Sequence, residues 1–237
     1  VISVFVEKES IKGNIVEIRE KQDINHLKNS FRMKAGDKLR VVDGEFEYMC
    51  RIIEVEKKEI LAEIEERIED RYSTEAEIDI AQGLLKNDKM DLTIQKLTEI
   101  GINRIIPMVT ERTVVKVKEK KAKWDVVSKE ALKQCQGVKL VDITAPQRLK
   151  DIAFESYDLV LLPYECAEGT RITDILDRCE EKPGRVLYLI GPEGGFSEKE
   201  VEFLVDRGAK VISLGRRILR AETAAIVAGG ILVNELG

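Results

Sequence analysis

The chain has 237 residues, of which 43% are apolar and 35% charged. That is too apolar for a disordered chain, too charged for a membrane protein, and long enough for one large domain or two modest ones. The net charge of −5 excludes a uniformly basic coat for nucleic acid but leaves room for local basic patches. Residues 1–72 read as strand-rich: Val1–Val6, Asn14–Ile18, Lys38–Val42, Phe46–Val55 and Ile60–Ile64 are short β-branched runs between Gly, Asn or Asp signals. Asp43-Gly44 marks a hairpin turn. One helix interrupts these strands, with Asp23 as N-cap, Ile24, Leu27, Lys28 and Phe31 following, and Gly36 as its end. The spacing suits a small β-barrel-like domain better than a parallel sheet.

From residue 73 the period changes. Strand Glu77–Gln82 precedes helix Lys89–Ile100, whose Met90, Ile94, Leu97 and Ile100 share one face, with Gly101 as C-cap. Strand Arg104–Val109, helix Ala122–Gln136, strand Asp158–Leu162 and a short helix over Asp174–Cys179 follow. Strand Arg185–Ile190, helix Glu198–Asp206, strand Lys210–Leu214 and a last helix from Glu222 complete the pattern. Such alternation predicts an α/β domain over 73–237 with a largely parallel sheet covered on both faces.

The chemistry classes narrow further. His26 is the single histidine, and Cys50, Cys135, Cys166 and Cys179 match no zinc spacing, so no metal site and no Ser-His-Asp hydrolase are expected, and the thiols read as apolar residues of a reducing compartment. No run approaches the ~18 apolar residues of a membrane span. VISVFVEKES carries no basic n-region ahead of an apolar stretch, so no secretory signal is read and a cytoplasmic address without membrane is expected. Charge is uneven. Residues 54–70 hold eight acids against three bases, whereas residues 21–40, 112–123 and 207–220 hold six, six and five bases against two, one and no acids. Each run alone is an ordinary solvated face; together they allow a composite phosphate-binding surface.

Two loops stand out. In LIGPEGGFSEKE, residues 189–200, an apolar strand ends at Gly191, Gly194 and Gly195 permit close backbone approach, and Ser197 with Glu200 forms a capping box. It is neither a dinucleotide fingerprint nor a P-loop. In SLGRRILRAETAAIVAGG, residues 213–230, Gly215 ends the next strand, Ile218 and Leu219 offer apolar walls, Arg220 and Glu222 set opposite charges at a helix start, and Thr223 and Ala224 are small. Ligands of open α/β sheets bind outside the carboxyl ends of strands, so the two loops predict one shared pocket rather than two tight turns.

GPEGGFSEKE followed by LGRRILRAETAA closely resembles the C-terminal signature of the ribosomal RNA small subunit methyltransferase E family, within the SPOUT superfamily of knotted methyltransferases. KNDKMDLTIQKLTEIGINRIIPMVTERTVVK, residues 86–116, is similar to the family's stretch around an IQK-x-x-ELG core, and His26, Leu27 and Phe31-Arg32 to its N-terminal element. One stretch departs: a Glu-Gln-x-x-Arg run after the family's tryptophan reads here Lys133-Gln134-Cys135-Gln136-Gly137, after Trp124. The resemblance implies an N-terminal PUA-like β-barrel over 1–72 that helps hold RNA, and a C-terminal α/β trefoil-knot SPOUT domain over 73–237. It further implies S-adenosylmethionine as cofactor, a homodimer, and methylation of N3 of a uridine in 16S rRNA of the small ribosomal subunit.

On that footing the cofactor-binding candidates are Leu162, Leu189, Gly191, Gly194, Gly195, Leu214, Gly215, Ile218, Leu219, Thr223 and Ala224. Arg220 is the candidate for stabilising a uracil anion or positioning a phosphate. Glu222 is a candidate base, or else a structural partner of Arg220 or of a backbone amide. His26, Arg32, Lys96, Arg112 and Lys116 are candidate RNA contacts, although Lys96 and Glu99 are also spaced as a surface ion pair. Trp124 reads as a packing anchor. Two other readings stand beside this one: a knotted enzyme acting elsewhere, such as a ribose 2′-hydroxyl of tRNA, and a non-catalytic RNA-binding protein.

Overall fold

The computed structural model describes residues 2–167 and 169–237. They divide into two compact units, Val1–Ser73 with Leu132–Leu140, and Thr74–Ala131 with Val141–Gly237.

The first unit is a six-stranded sheet. Its elements are β1 (Ser3–Phe5), β2 (Ile11–Lys12), β3 (Ile15–Ile18), α1 (Lys21–Asn25), β4 (Lys38–Val42), β5 (Phe46–Val55) and β6 (Ile60–Glu69). The strand order is β1-β4-β5-β6-β3-β2, antiparallel except for the β1–β4 pair. Alternate residues Leu39 and Val41, Cys50 and Ile52, Ile60 and Ala62, and Val16 and Ile18 fill one core, as the two-residue period of strands requires. Register shifts at Met49/Cys50 and Ile52/Glu54 bend the long β5–β6 ribbon. The Asp43-Gly44 turn forms as expected: Asp43 Oδ1 accepts the N–H groups of Glu45 and Phe46 at 2.9 and 2.8 Å, and Gly44 adopts φ 91°.

The helix of this unit differs from its prediction. It starts after Glu20, so Asp23 lies inside α1, and the chain continues through a wider helical turn, His26–Ser30, that stops before Gly36. Asp23 does not cap the helix; it is buried and accepts a 2.6 Å ion pair from Lys133. A cut after residue 72 also misses Leu132–Leu140. Leu132 and Val138 pack on Val42, and buried Arg40 donates to the carbonyls of Gln136 and Gly137 at 2.8 and 3.2 Å while pairing with Glu47 at 3.1 Å. Apolar packing and a buried cation claim the segment for the first unit.

The second unit is an all-parallel sheet. Its elements are β7 (Glu77–Gly83), α2 (Lys89–Ile100), β8 (Arg104–Val109), α3 (Ala122–Cys135), β9 (Asp142–Ile143), β10 (Gln147–Arg148) and β11 (Leu159–Pro163), then α4 (Ile172–Leu176), β12 (Arg185–Ile190), α5 (Glu198–Asp206), β13 (Lys210–Ile212) and α6 (Ala221–Leu236). The order is β10-β8-β7-β12-β11-β13, with β9 beside β8. The central strand β12 is a near-continuous apolar run because helices cover both faces of the sheet, whereas β7 carries buried Asp79 and Gln82 among its apolar residues. One face packs Ile78, Ile80, Tyr188 and Ile190 with α2 and α6; the other packs Leu162, Leu187 and Leu189 with α5. Trp124 is buried in the first of these cores. Gly101 caps α2 at φ 88°. The helix read over Asp174–Cys179 lies earlier, at Ile172–Leu176, where the Asp174 carboxylate accepts the Arg171 N–H at 2.8 Å.

The path after β13 positions the site. β13 lies at the sheet edge beyond β11, whereas α6 packs on α2, β7 and β12 near the middle. Residues 213–220 must therefore cross the carboxyl ends of the intervening strands. On the way Ser213 N–H donates to the carbonyl of Thr170 at 2.8 Å.

Candidate active site

The carboxyl ends of β11, β12 and β13 converge on a cavity of about 410 Å³, within the usual range for a small-molecule site. Three loops build it: Pro163–Glu165, Ile190–Phe196 and Ser213–Ala221, closed by Ala224 of α6. Of the sequence-predicted residues, Gly191, Gly194, Gly195, Leu214, Gly215, Ile218, Leu219, Arg220 and Ala224 meet here. Leu162 and Leu189 do not line it. They are fully buried in the core beneath α5, because strand alternation turns them to that face. Thr223 is exposed on α6, and Glu222 is buried, both outside the lining.

The glycines are there because the chain packs on itself. A Cβ at Gly191 would lie 3.0 Å from the carbonyl carbon of Gly195, and one at Gly195 would meet Glu165 Oε1 at 3.3 Å in a backbone with φ +66°. The turn between them is closed by Gly195 N–H on the carbonyl of Pro192 at 2.8 Å. Behind it, Gly83 at the end of β7 lies against the same loop, so closely that a Cβ there would be 2.3 Å from Pro192 N.

Polar bonds hold the loop from three sides. Arg112 Nη1 donates to the carbonyl of Gly194 at 2.9 Å. Glu200 accepts Ser197 N–H at 2.9 Å as the predicted capping box, and its other oxygen accepts Glu111 N–H at 2.7 Å. Glu193 Oε1 accepts Lys86 N–H at 3.0 Å. Burial by itself would raise the Glu193 carboxyl; the Lys86 and Glu193 N–H groups and the charge of Lys89 outweigh that and hold it below the usual carboxylate range. Lys89 Nζ lies 3.6 Å from Glu193 Oε1 and 3.8 Å from Glu222 Oε1.

The structure separates the remaining candidates. Arg112 supports the glycine loop from an exposed position. Lys96 is paired with Glu99 at 2.9 Å, and Lys116 is exposed. In the first unit His26 and Arg32 are exposed; the His26 ring lies 4.7 Å from that of Phe31, and Arg32 adopts φ 53°. Sequence reasoning missed Glu165 and Glu193 as pocket carboxylates and Arg216 and Arg217 as pocket cations. Glu193 stood inside the quoted motif. Glu165 carried one usable signal: it follows a strand parallel to the two whose ends were already read as a pocket.

The lining suits a ligand with a flat apolar part and several polar groups. Leu214, Ile218 and Leu219 offer walls, backbone amides of two glycine loops offer donors, and Glu165 offers an acceptor beside Gly195. Among the described residues no helix is long and apolar enough to cross a membrane.

A parallel sheet whose chain returns across its own strand ends to complete a pocket agrees with an RNA methyltransferase domain of SPOUT fold, joined to a PUA-like domain. Residues 73–233 match the RNA methyltransferase domain family and residues 18–65 the RNA methyltransferase PUA domain family. The ribosomal RNA small subunit methyltransferase E of Bacillus subtilis is 32% identical over 87% of this chain and 85% of its own length. That of Aquifex aeolicus is 31% identical over 98% of this chain and 99% of its own. The chain belongs to the ribosomal RNA small subunit methyltransferase E family. Among solved structures, a methyltransferase of Legionella pneumophila in complex with SAM superposes with a TM-score of 0.84 at 30% identity, over 99% of this chain and 97% of that one. The Neisseria gonorrhoeae family member shares the fold, with a TM-score of 0.85 at 23% identity over 100% and 98% of the two chains.

Proposed function

We propose that this protein transfers the methyl group of S-adenosylmethionine to N3 of a uridine in 16S rRNA of the small ribosomal subunit, acting as a homodimer in the cytoplasm. The observation that carries the reading is the three-loop cavity at the strand ends, whose glycine loop is packed so closely that a Cβ at Gly191 or Gly195 would crowd its own walls. The Legionella relative, solved with SAM, supports the same cofactor here.

The bound sulfonium supplies an electrophilic methyl and leaves as a neutral thioether, so the protein's task is mainly to position two reactants. Leu214, Ile218 and Leu219 bracket the adenine while loop amides take its polar edge. Arg220 lines the cavity at the N-cap of α6 and there stabilises the uracil anion formed as N3 gives its proton to solvent water. Glu222 faces Lys89 rather than the cavity, which favours a structural role for it. Arg32 and His26 in the PUA-like unit, with Lys116, are the exposed RNA contacts in this reading.

The test is calorimetric titration of the folded protein with S-adenosylmethionine, with ATP and NAD as controls, followed by nucleoside mass mapping of rRNA and small subunits after reaction. Selective binding of S-adenosylmethionine and an N3-methyluridine product are expected. A ribose-methylated product would overturn the assigned atom. A folded protein that binds RNA but no S-adenosylmethionine would overturn the transferase reading in favour of an RNA-binding protein.

A further inference from the structure

Lys89 stands at the first position of α2, the end of a helix where the macrodipole disfavours a cation. The nearest acid on its own helix does not account for it, because Asp91 is paired with Lys123 at 2.5 Å. Instead Lys89 Nζ lies between two carboxylates from distant parts of the chain, 3.6 Å from Glu193 and 3.8 Å from Glu222. Glu193 belongs to the glycine loop after β12, and Glu222 to the first turn of α6, directly after the loop that carries Leu219 and Arg220. These are two of the three walls of the cavity. Glu222 is more than nine-tenths buried, and its Oε2 has no hydrogen-bond partner among the described residues. Lys89 is thus the cation within ion-pair distance of a buried carboxylate that would otherwise carry uncompensated charge.

We propose that Lys89 is a positioning residue that fixes the glycine loop and the start of α6 in register, so that the cofactor pocket is formed before the cofactor arrives. The ammonium reaches both carboxylates from a rigid helix, and the Lys86 N–H two residues before Asp88 holds Glu193 at 3.0 Å from the same side. Without the cation, like charges on Glu193 and Glu222 face each other and the two walls separate. The effect falls on cofactor affinity, because Lys89 holds two walls of the cavity without lining it. The inference rests on the cofactor reading above and assigns Glu222 to holding the pocket.

The experiment compares wild type, Lys89→Met and Lys89→Arg by calorimetric titration with S-adenosylmethionine, by thermal melting, and by methyl transfer at limiting and saturating cofactor. Lys89→Met is expected to raise Kd and KM for S-adenosylmethionine about tenfold, which corresponds to about 1.4 kcal/mol, with kcat at saturation little changed. Lys89→Arg, which keeps the charge, should restore most of the affinity. Equal affinity in wild type and Lys89→Met, a loss confined to kcat, or no recovery in Lys89→Arg would each overturn the proposal. If Lys89→Met does not fold, Lys89→Gln, which keeps much of the stem, takes its place with the same expected and refuting results. A wild type that binds no S-adenosylmethionine overturns the cofactor reading itself, an outcome distinct from any difference among the variants.

Discussion

Adding one methyl group at Gly83 tests how the pocket is held. The Cβ of Gly83→Ala would stand 2.3 Å from Pro192 N and 2.7 Å from the carbonyl carbon of Gly191, both far inside an optimal contact of ~3.5–4.0 Å. Both neighbours are backbone, so no side-chain rotation relieves the clash. β7 cannot easily yield, because it is paired with β12 at six consecutive positions and with β8 on its other side. The glycine loop must move, against its bonds to Lys86, Arg112 and its own turn. Overpacking of this kind costs about 2 kcal/mol, which for a chain of this length lowers Tm by roughly 4–8 °C. A displacement of this loop should also weaken S-adenosylmethionine binding about tenfold or more. Gly101→Ala is the control. It has the same added methyl and, unlike Gly83, an unfavourable φ of +88°, but open space around it, so it should lose stability through backbone strain alone and keep cofactor affinity. Thermal melts and calorimetry decide. Unchanged affinity in Gly83→Ala, or an equal loss in Gly101→Ala, would refute the view that β7 braces the loop.

Other perturbations probe the chemistry and the core. Arg220→Ala should lower methyl transfer by about 10²–10³ with little change in cofactor affinity, as expected for a group acting on developing charge; surviving turnover in single-turnover assays would remove it from that role. Asp79 is buried in β7, where desolvation raises its carboxyl above the usual 3.8 despite the Tyr157 hydroxyl and the Arg104 and Arg185 charges. A raised folded value means that stability is lost as pH climbs from the unfolded value through the folded one. Asp79→Asn should therefore melt at or above the wild-type temperature at pH 7 and lose the wild type's drop in stability just above pH 4. A lower melting temperature at pH 7 would show that the ion pairs outweigh burial. Burial pushes the Cys50 thiol up to about 12, whereas Cys166 is exposed, so alkylation of the folded protein at pH 8 should mark Cys166 and spare Cys50, read by peptide mass.

The sequence carries the architecture where elements are long and periodic. α2, β5, β8, β12 and α5 fall on their predicted residues because apolar spacing, caps and flanking glycines agree there. The two-residue strands β9 and β10 have too few residues to show any period. Leu132–Leu140 joins the first unit, yet α3 runs through Leu132 with unbroken helical spacing, so nothing local marks the change of core. The glycine loops were legible because a strand end followed by Gly-Pro-x-Gly-Gly has few other uses. The partners of individual charges were not. Arg112 in a basic run reads as a phosphate contact, but its hydrogen bond to the Gly194 carbonyl depends on a strand end 82 residues away. Glu222 reads as either a base or a structural partner of Arg220 or of a backbone amide, while its burial and its approach to Lys89 come from α6 packing on α2.

The parallel sheet also divides the second unit into two ends with different tolerances. Every loop of the cavity leaves a strand's carboxyl end, whereas the turns at Gly101 and Gly208 lead into β8 and β13 at the other end, with open space around both glycines. A fluorophore or a short peptide inserted at either turn would be a sheet's length from the pocket. Those turns therefore offer handles for immobilising or labelling the protein while it works.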